Sequence, residues 1–419
     1  MFESMLFNII VILVCVFFIF INKINKHSFW SIVQIQNIMW LIAFVIYFTG
    51  IVKYNDINVT VYICTLGYII AFNLLCYKRT ILNESGINEE ILANSVSDNK
   101  KINRCFWASV VVWGLSVGIL QKSILILNQY GISDGLNILR YKAYIENSLF
   151  STFESCLITY IMRPIFVVTI ILFAQQLSLK KVNIRLAITA IIDAFLLLLM
   201  TAGRSMLVSL VIYVFFAIIL VNGVNMLKLI KRYRKYLLPM LILLVIITYI
   251  SSMRVGKDRD IFTEIFIYLF SGVPYFSEMI NNDLIEPFSL LGRGMLSPII
   301  EAPILLLRII GVNIEAATQV IAHITKESLI IGDNISINAT ASTLMIFYAD
   351  FGYFGPIIAG GVLGKFVMHN ETQFYVKPSC LNYAKYLFLA GVFFASIQNY
   401  SLSGASSFMT WILMGLLLK

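Results

Sequence analysis

The sequence predicts an all-α, polytopic integral membrane protein with about eleven transmembrane helices and one large external loop. Hydrophobic residues make up 59% of the 419 residues, charged residues make up only 13%, and the mean hydropathy is +0.87. Soluble domains carry roughly 25% charged residues, so a soluble globular protein is excluded. Because each span needs roughly 20 apolar residues, a single transmembrane domain over residues 1–419 accounts for the whole length.

Apolar runs long enough to cross a membrane alternate with charged or turn-forming residues. They cover residues 5–22, 31–52, 58–77, 105–124, 152–175, 184–202, 205–221, 236–252, 351–368, 382–399 and 403–418. Three longer departures from hydrophobicity, at 78–104, 122–151 and 253–350, are expected to be loops. The last of them is inserted between the eighth and ninth predicted helices, and its apolar stretch 295–310 is expected to be partly inserted or to lie along the membrane surface.

Basic residues occur in every second connection between these runs. Lys and Arg favour cytoplasmic loops, and here they cluster near 23–26, 78–104, 180–185 and 228–235. The N-terminus and the segment 253–350 are therefore predicted outside, and the C-terminus inside. This orientation accounts for the net charge of +9, so the charge does not indicate a nucleic-acid partner.

Several classes of chemistry lack their sequence patterns. The six cysteines and three histidines are scattered singly, so no disulfide and no zinc site is predicted. The chain has no Walker A motif, no G-x-G-x-x-G and no G-x-S-x-G. Asp258 and Asp260 form a D-x-D, but three neighbouring cations favour a self-neutralising loop. No metal and no cofactor is expected.

Two groups of cations are predicted at the outer face. Arg204 lies in the tight connection between two apolar runs, where Gly203 permits a close turn and Ser205 can cap the next helix. A permanent cation beside a helix N-terminus suits an anion, although Arg204 can also be a snorkelling anchor at the interface. Arg254 and Lys257, which follow the eighth predicted helix, form the second group.

Further candidates lie where the chain returns to the membrane. Asp350 can accept a proton from a sugar hydroxyl, or it can cap the helix expected to start near Phe351, and both interpretations stay open. His323 can act as a base or pack on the membrane surface. The secondary candidates for the same site are Arg140, Arg163 and Tyr348.

Taken together, these features resemble the bacterial oligosaccharide repeat-unit polymerases, also called O-antigen polymerases, which are related to the O-antigen ligases. The likeness is carried by the large external loop, by Arg204 and Arg254 in their connections, and by the motif Tyr348-x-Asp350-Phe351-Gly352-x-x-Gly355. The resemblance implies a GT-C-like glycosyltransferase bundle in the bacterial inner membrane, with its active site facing the periplasm.

The resemblance also implies metal-independent transfer of glycan from one polyprenyl-diphosphate carrier onto the sugar of another lipid-linked repeat unit. In the related ligases, outward arginines hold the lipid diphosphate, and a histidine near the re-entry helix orients or deprotonates the acceptor. Arg204 and Arg254 match the arginines. The re-entry stretch of this chain has no histidine, so the base stays open among Asp350, His323 and Asp333.

The implied partners are the polyprenyl-diphosphate-linked oligosaccharide and membrane lipid, with a chain-length regulator protein left open. The external aromatic residues Tyr268, Tyr275 and Phe276 are expected to stack on sugar rings. Two alternatives remain. A lipid-linked oligosaccharide flippase or other transporter would not need so large an external loop, and an O-antigen ligase would differ only in its acceptor.

The charge pattern makes a direct prediction of topology. In a cysteine-free background, Asn282→Cys should react with a membrane-impermeant maleimide in cells with an intact inner membrane, whereas Ser85→Cys and Lys231→Cys should react only after that membrane is opened. The opposite order of labelling would invert the orientation and move the predicted active site to the cytoplasmic face.

Overall fold

The structure is a computed structural model that describes residues 2–24, 31–76, 89–144, 146, 148–222, 261–309, 311–312, 317–325, 328–337 and 342–419. Helix dominates these residues, and they also contain one two-stranded antiparallel sheet. The helices are α1 (Phe2–Ile24), α2 (Ile32–Thr49), α3 (Val59–Cys76), α4 (Glu89–Val96), α5 (Asn99–Tyr144), α6 (Thr152–Leu157), α7 (Arg163–Ser178), α8 (Ile184–Thr201), α9 (Ser205–Asn222), α10 (Ile261–Phe270), α11 (Gly272–Asn281), α12 (Arg293–Ile309), α13 (Ala317–Ile324), α14 (Thr343–Phe351), α15 (Phe354–Val376), α16 (Cys380–Phe394) and α17 (Ala405–Leu417). A π-helix (Ile158–Met162) joins α6 to α7, and the strands are β1 (Leu329–Gly332) and β2 (Ile335–Ile337).

The predicted all-α, multi-pass membrane class is confirmed. Six described helical stretches are long and apolar enough to cross a membrane, and a seventh span results if the bent pair α14 and α15 is counted as one. Three further predicted spans correspond to shorter apolar helices, Ser205–Val221, Cys380–Phe394 and Ala405–Leu417. The count of eleven stays a prediction, and the span predicted at 236–252 lies outside the described residues.

Short polar residues set the ends of several spans. The Ser31 hydroxyl accepts a hydrogen bond from the Gln34 backbone N–H at the start of α2, and Gly50 ends that helix in the left-handed conformation (φ 66°). The Asn183 side chain caps the start of α8 in the same way. The boundaries predicted from hydropathy therefore agree with the cap chemistry at these ends.

The loop predicted at 122–151 is largely helical, so that prediction is wrong. Helix α5 runs on past residue 124 and is interrupted at Gly131, whose φ of 75° and ψ of 176° are not helical. The chain then folds back on itself. Gly135 lies so close to the outgoing arm that a Cβ atom there would be 3.1 Å from the Cα atom of Leu127. Four polar residues of the segment, Asn128, Gln129, Asn137 and Arg140, are exposed on this helical hairpin.

The external segment predicted at 253–350 is structured in its described part. It holds α10 to α14 and the β1–β2 hairpin, while the bases near its start, with the D-x-D, lie outside the described residues. The apolar stretch at 295–310 is a helix, α12, with Leu296 and Ile299 exposed on its surface. An apolar exposed face is typical of a helix that lies along a membrane surface.

Residue contacts divide the chain into two compact units. The first comprises 1–82, 260–372 and 392–408, and the second comprises 83–259, 373–391 and 409–419. In the first unit, buried amides join three helices: Asn37 and Asn73 exchange side-chain hydrogen bonds of 2.8 and 2.9 Å, and Asn22 donates to Asn73 at 3.0 Å. Such bonds hold membrane helices together where lipid tails provide no hydrophobic driving force.

Helices α3 and α15 pack at backbone distance in the first unit. A Cβ atom at Gly360 would lie 2.5 Å from the carbonyl oxygen of Tyr68, and one at Gly364 would lie 2.5 Å from that of Phe72. A Cβ atom at Gly67 on α3 would lie 2.7 Å from the side chain of Ile357 on α15. Two glycines four residues apart are thus required for this close approach, as in other small-residue helix interfaces in membranes.

Gly364→Ala should therefore lower the thermal stability of the detergent-purified protein, by an amount on the order of 1–3 kcal/mol, because the added methyl group overlaps the α3 backbone. Gly114→Ala is the matched control, since a Cβ atom at Gly114 meets nothing within 4 Å. Thermal unfolding followed by size-exclusion fluorescence would measure both. Equal melting temperatures for Gly364→Ala and the unsubstituted protein would contradict the proposed helix contact.

Candidate functional site

Arg204 occupies the start of α9, in the second unit. Helix α8 ends at Thr201, the next residue Ala202 is left-handed (φ 51°), and the Gly203 backbone N–H donates to the Thr201 hydroxyl at 3.2 Å. The Arg204 carbonyl accepts the first helical hydrogen bond, from Val208 N–H at 3.1 Å. Arg204, and not Ser205 as expected, is therefore the residue that precedes the first turn of α9.

The fold brings a second arginine to this end of the unit. Leu139 lies on the returning arm of the α5 hairpin and is buried in one apolar cluster with Ile126 and Ala202. The residue after Leu139 is Arg140, whose side chain is exposed. Arg140 and Arg204, a secondary and a primary candidate from the sequence, thus lie at the same end of the second unit.

Hydrogen bonds fix this end of the bundle. The Ser123 hydroxyl on α5 donates to the carbonyl oxygen of Met200 at 2.8 Å, which ties α5 to the last turn of α8. Lys122 pairs with Glu154 at 2.6 Å, and Glu154 also forms a capping box with Ser151 at the start of α6. The outgoing arm of α5 is therefore bonded both to the end of α8 and to the start of α6.

Arg163 lies deeper, inside the apolar stretch Thr152–Ser178. It follows the π-helix and precedes Pro164, so the regular hydrogen bonding of the helix is interrupted at this point. At 1.5 Å per residue, Arg163 is about 17 Å from the Thr152 end. Its Nε atom is buried and has no hydrogen-bond acceptor in the part of the chain that the structure describes.

Asp350 is fully buried in the last turn of α14, in the first unit. One carboxylate oxygen accepts from Gly294 N–H at 2.9 Å and the other from Met295 N–H at 2.6 Å. Both donors belong to the first turn of α12, so Asp350 caps α12. Of the two interpretations left open by the sequence, the cap of the helix near Phe351 is therefore wrong. Its role as a general base stays a prediction, and a sugar hydroxyl would have to compete with two backbone donors.

The glycines of the Asp-Phe-Gly motif have structural roles as well. Gly352 ends α14 with a φ of 56° and a ψ of −140°, a conformation suited to glycine. Gly355 packs directly on the carbonyl group of Phe347, and α14 and α15 meet at a bend of 120°. The motif thus specifies a sharp turn between two helices and the anchoring of α12 to that turn.

Other candidates from the sequence are not enclosed. His323 is exposed in the last turn of α13. Asp333 lies in the hairpin turn, 3.9 Å from Lys53, and both of these side chains are more than three-quarters exposed. An exposed side chain stays hydrated, and no surrounding structure orients it toward an acceptor hydroxyl. His323 and Asp333 are therefore poorly placed to act as a general base. Arg254 and Lys257 lie outside the described residues.

The expected aromatic platforms are mostly core residues. Tyr275 and Phe276 are completely buried, so their assignment as sugar platforms is wrong, while Tyr268 is half-buried. Tyr348 is also buried, and its ring packs edge-on against Phe276 and Tyr353 at centroid distances of 5.5 and 5.7 Å. Tyr353 is 47% exposed, and the sequence reasoning did not single it out.

Asp193 has a structural role that the sequence did not reveal. This buried residue of α8 accepts from the Ser109 hydroxyl at 2.8 Å and from the Trp113 indole N–H at 2.7 Å. Ser109 and Thr169 are 3.3 Å apart, so the same cluster reaches α7. Ser109 and Trp113 are four residues apart and so lie on one face of α5. This spacing is the sequence feature that could have indicated a shared acceptor.

Comparison of the chain with protein-family models, with curated proteins and with solved structures finds no match. The likeness to repeat-unit polymerases therefore rests on the sequence features given above. The positions of the arginines and of Asp350 are independent of that likeness.

Asp350→Asn should lower thermal stability by about 1–3 kcal/mol, because the amide NH₂ would face a backbone N–H that now has a carboxylate acceptor. Asp333→Asn is the control: it removes an exposed carboxylate and should leave the melting temperature unchanged. Thermal unfolding of the purified proteins measures the difference. If Asp350→Asn melted like the unsubstituted protein, the cap on α12 would contribute nothing.

Proposed function

We propose that this chain is a membrane glycosyltransferase that polymerises oligosaccharide repeat units carried on polyprenyl diphosphate. The observation that carries the proposal is that Leu139 and Ala202 share one apolar cluster, which puts Arg140 and Arg204 at the same end of the second unit, with Arg204 at the N-terminus of α9. This end faces the periplasm if the charge pattern sets the orientation. The protein is accordingly placed in the bacterial inner membrane, with its active site on the periplasmic side.

A diphosphate suits this arrangement of charge. A guanidinium is permanently charged and can donate two parallel hydrogen bonds to phosphate oxygens, and the helix dipole adds partial positive charge at the start of α9. Backbone N–H groups in the first turn of a helix add further donors to an anion.

The reaction follows from the same charges. An acceptor hydroxyl oxygen attacks the anomeric carbon of the donor glycan and the bond from that carbon to the phosphate oxygen breaks. The diphosphate, still attached to its lipid, leaves with the bonding electron pair on that oxygen. Arginines stabilise the charge that grows on the leaving oxygen, so the step needs no metal. The acceptor proton passes to a base, for which Asp350, His323 and Asp333 stay the predicted candidates.

A carrier for the same lipid-linked unit is the second candidate, and Arg163 favours it. A cation well inside a span is expensive and is typical of a substrate path. In a polymerase, Arg163 can attract the diphosphate electrostatically from its position inside the span. The ligase alternative shares the donor chemistry and differs in its acceptor.

The test is a polymerisation assay on purified protein in lipid nanodiscs, supplied with lipid-linked repeat units extracted from a strain that lacks this chain. A ladder of products on a gel indicates polymerisation, whereas a carrier leaves the unit length unchanged. A product on a different acceptor, without a ladder, would indicate a ligase. If the folded protein formed no ladder, the proposal would be contradicted.

Arg204→Ala should lower the polymerisation rate by about 10²–10³, the usual effect of removing one donor to a developing negative charge, and Arg204→Lys should recover little of it. Arg140→Ala should also slow the reaction. Arg104→Ala is the matched control, because Arg104 is an exposed arginine near the opposite end of α5. A full ladder from Arg204→Ala would remove Arg204 from the site.

A further inference from the structure

A continuous band of polar side chains runs along one edge of the first unit. The Asn58 side-chain NH₂ donates to the side-chain oxygen of Asn281 at 2.8 Å. The side-chain oxygen of Asn58 accepts from the Thr60 backbone N–H at 2.9 Å. The Thr60 hydroxyl is 3.1 Å from the hydroxyl of Tyr353. These bonds link the approach to α3, the end of α11 and the start of α15.

A second set of bonds extends the band. The Asn55 side-chain NH₂ donates to a Glu278 carboxylate oxygen at 3.0 Å and to the carbonyl oxygen of Ile330 at 3.1 Å. The Asn282 side chain donates to the Glu278 carbonyl oxygen at 2.7 Å. We call the set Asn55, Asn58, Glu278, Asn281 and Tyr353 the amide rim.

The amide rim is exposed and yet fixed in orientation. Asn55 and Asn281 are exposed, while Asn58 and Glu278 are half-buried. Each amide is already oriented by a protein partner, so less side-chain entropy remains to be lost on binding a ligand. An amide has two donors and two lone pairs, and therefore the rim keeps capacity for both donating and accepting groups.

Tyr353 provides an aromatic surface next to these amides. Its ring is 47% exposed, it meets the buried ring of Tyr348 at an angle of 88°, and its hydroxyl is held by Thr60. The ring is thus held on two sides. The following residue, Phe354, and Ile357 one turn further along α15 are exposed apolar groups of the kind that face lipid.

We propose that the amide rim, within the first unit, binds a sugar of a lipid-linked repeat unit. Sugars present vicinal hydroxyls, which both donate and accept hydrogen bonds, and flat C–H faces, which pack on aromatic rings. A rim of fixed amides, one carboxylate and one exposed aromatic ring matches both features. The proposal rests on the proposed function and moves the sugar platform from Tyr275 and Phe276, which are buried, to Tyr353.

The composition of the rim argues against other ligands. Its five side chains include no cation, so a phosphate group would find a carboxylate and no opposite charge. Its amides and carboxylate are too polar for an acyl chain. A tyrosine at the start of a span can instead be an interface anchor, in which case only Tyr353, and not the amides, would matter, and sugar binding would be unaffected.

Binding, and not turnover, gives the test. The probe is the repeat-unit oligosaccharide released from its lipid by mild acid, titrated onto the full-length protein in nanodiscs and followed by saturation-transfer NMR. Tyr353→Ala and Asn281→Ala should each weaken binding by about tenfold, whereas Tyr353→Phe, which keeps the ring, should stay within about threefold. Tyr130→Ala removes a 43% exposed tyrosine of α5 and should have no effect.

Binding that is absent, or equal in the unsubstituted protein and both alanine variants, would overturn the subsite. The polymerisation ladder reports separately on the proposed function. A ladder with unaffected binding in the variants would retain the polymerase and reject the rim. Rim-dependent binding without a ladder would retain the rim and reject the polymerase.

Discussion

The absence of water inside a bilayer is the constraint on which the rest of this structure depends, because each polar group in a span must find its partner within the protein. The chain meets this demand with neutral side chains. Asn22, Asn37 and Asn73 bind one another across three helices of the first unit. In the second unit, Asp193 is satisfied by two neutral donors from α5. Polar residues in these spans thus hold helices together, and they need no transport or catalytic role to explain them.

The arginines of the second unit differ from these residues in charge and in position. Leu139, the neighbour of Arg140, shares an apolar cluster with Ala202, and Arg204 precedes the first turn of α9, so both arginines lie near helix ends. Arg163 lies inside a span, and its Nε atom is buried without an acceptor among the described residues. A cation inside a span is costly and is typical of a position on a substrate path. The proposed function therefore depends on the arginines, while the carboxylate of Asp350 caps α12.

Hydropathy and cap chemistry predicted much of the helical framework, because span length and the need for caps are local properties of the sequence. Features set by tertiary contact were not predictable. The fold-back at Gly131 converts an expected loop into a helical hairpin and brings Leu139, the neighbour of Arg140, into the apolar cluster that contains Ala202. Gly294, which donates a hydrogen bond to Asp350, is 56 residues earlier in the chain, so no local sequence pattern could identify this contact. Likewise, burial of Tyr275 and exposure of Tyr353 depend on packing that hydropathy does not report.

The central claim is that the end of the second unit where Arg140 and Arg204 lie binds a lipid diphosphate. Direct observation of the bound lipid is the best test of this claim. Electron cryomicroscopy of the full chain in nanodiscs with added polyprenyl diphosphate would locate the phosphates. The account predicts phosphate oxygens at roughly 3 Å from the Arg204 guanidinium, the distance of a charge-assisted hydrogen bond. A diphosphate bound by side chains that include neither Arg204 nor Arg140 would contradict it.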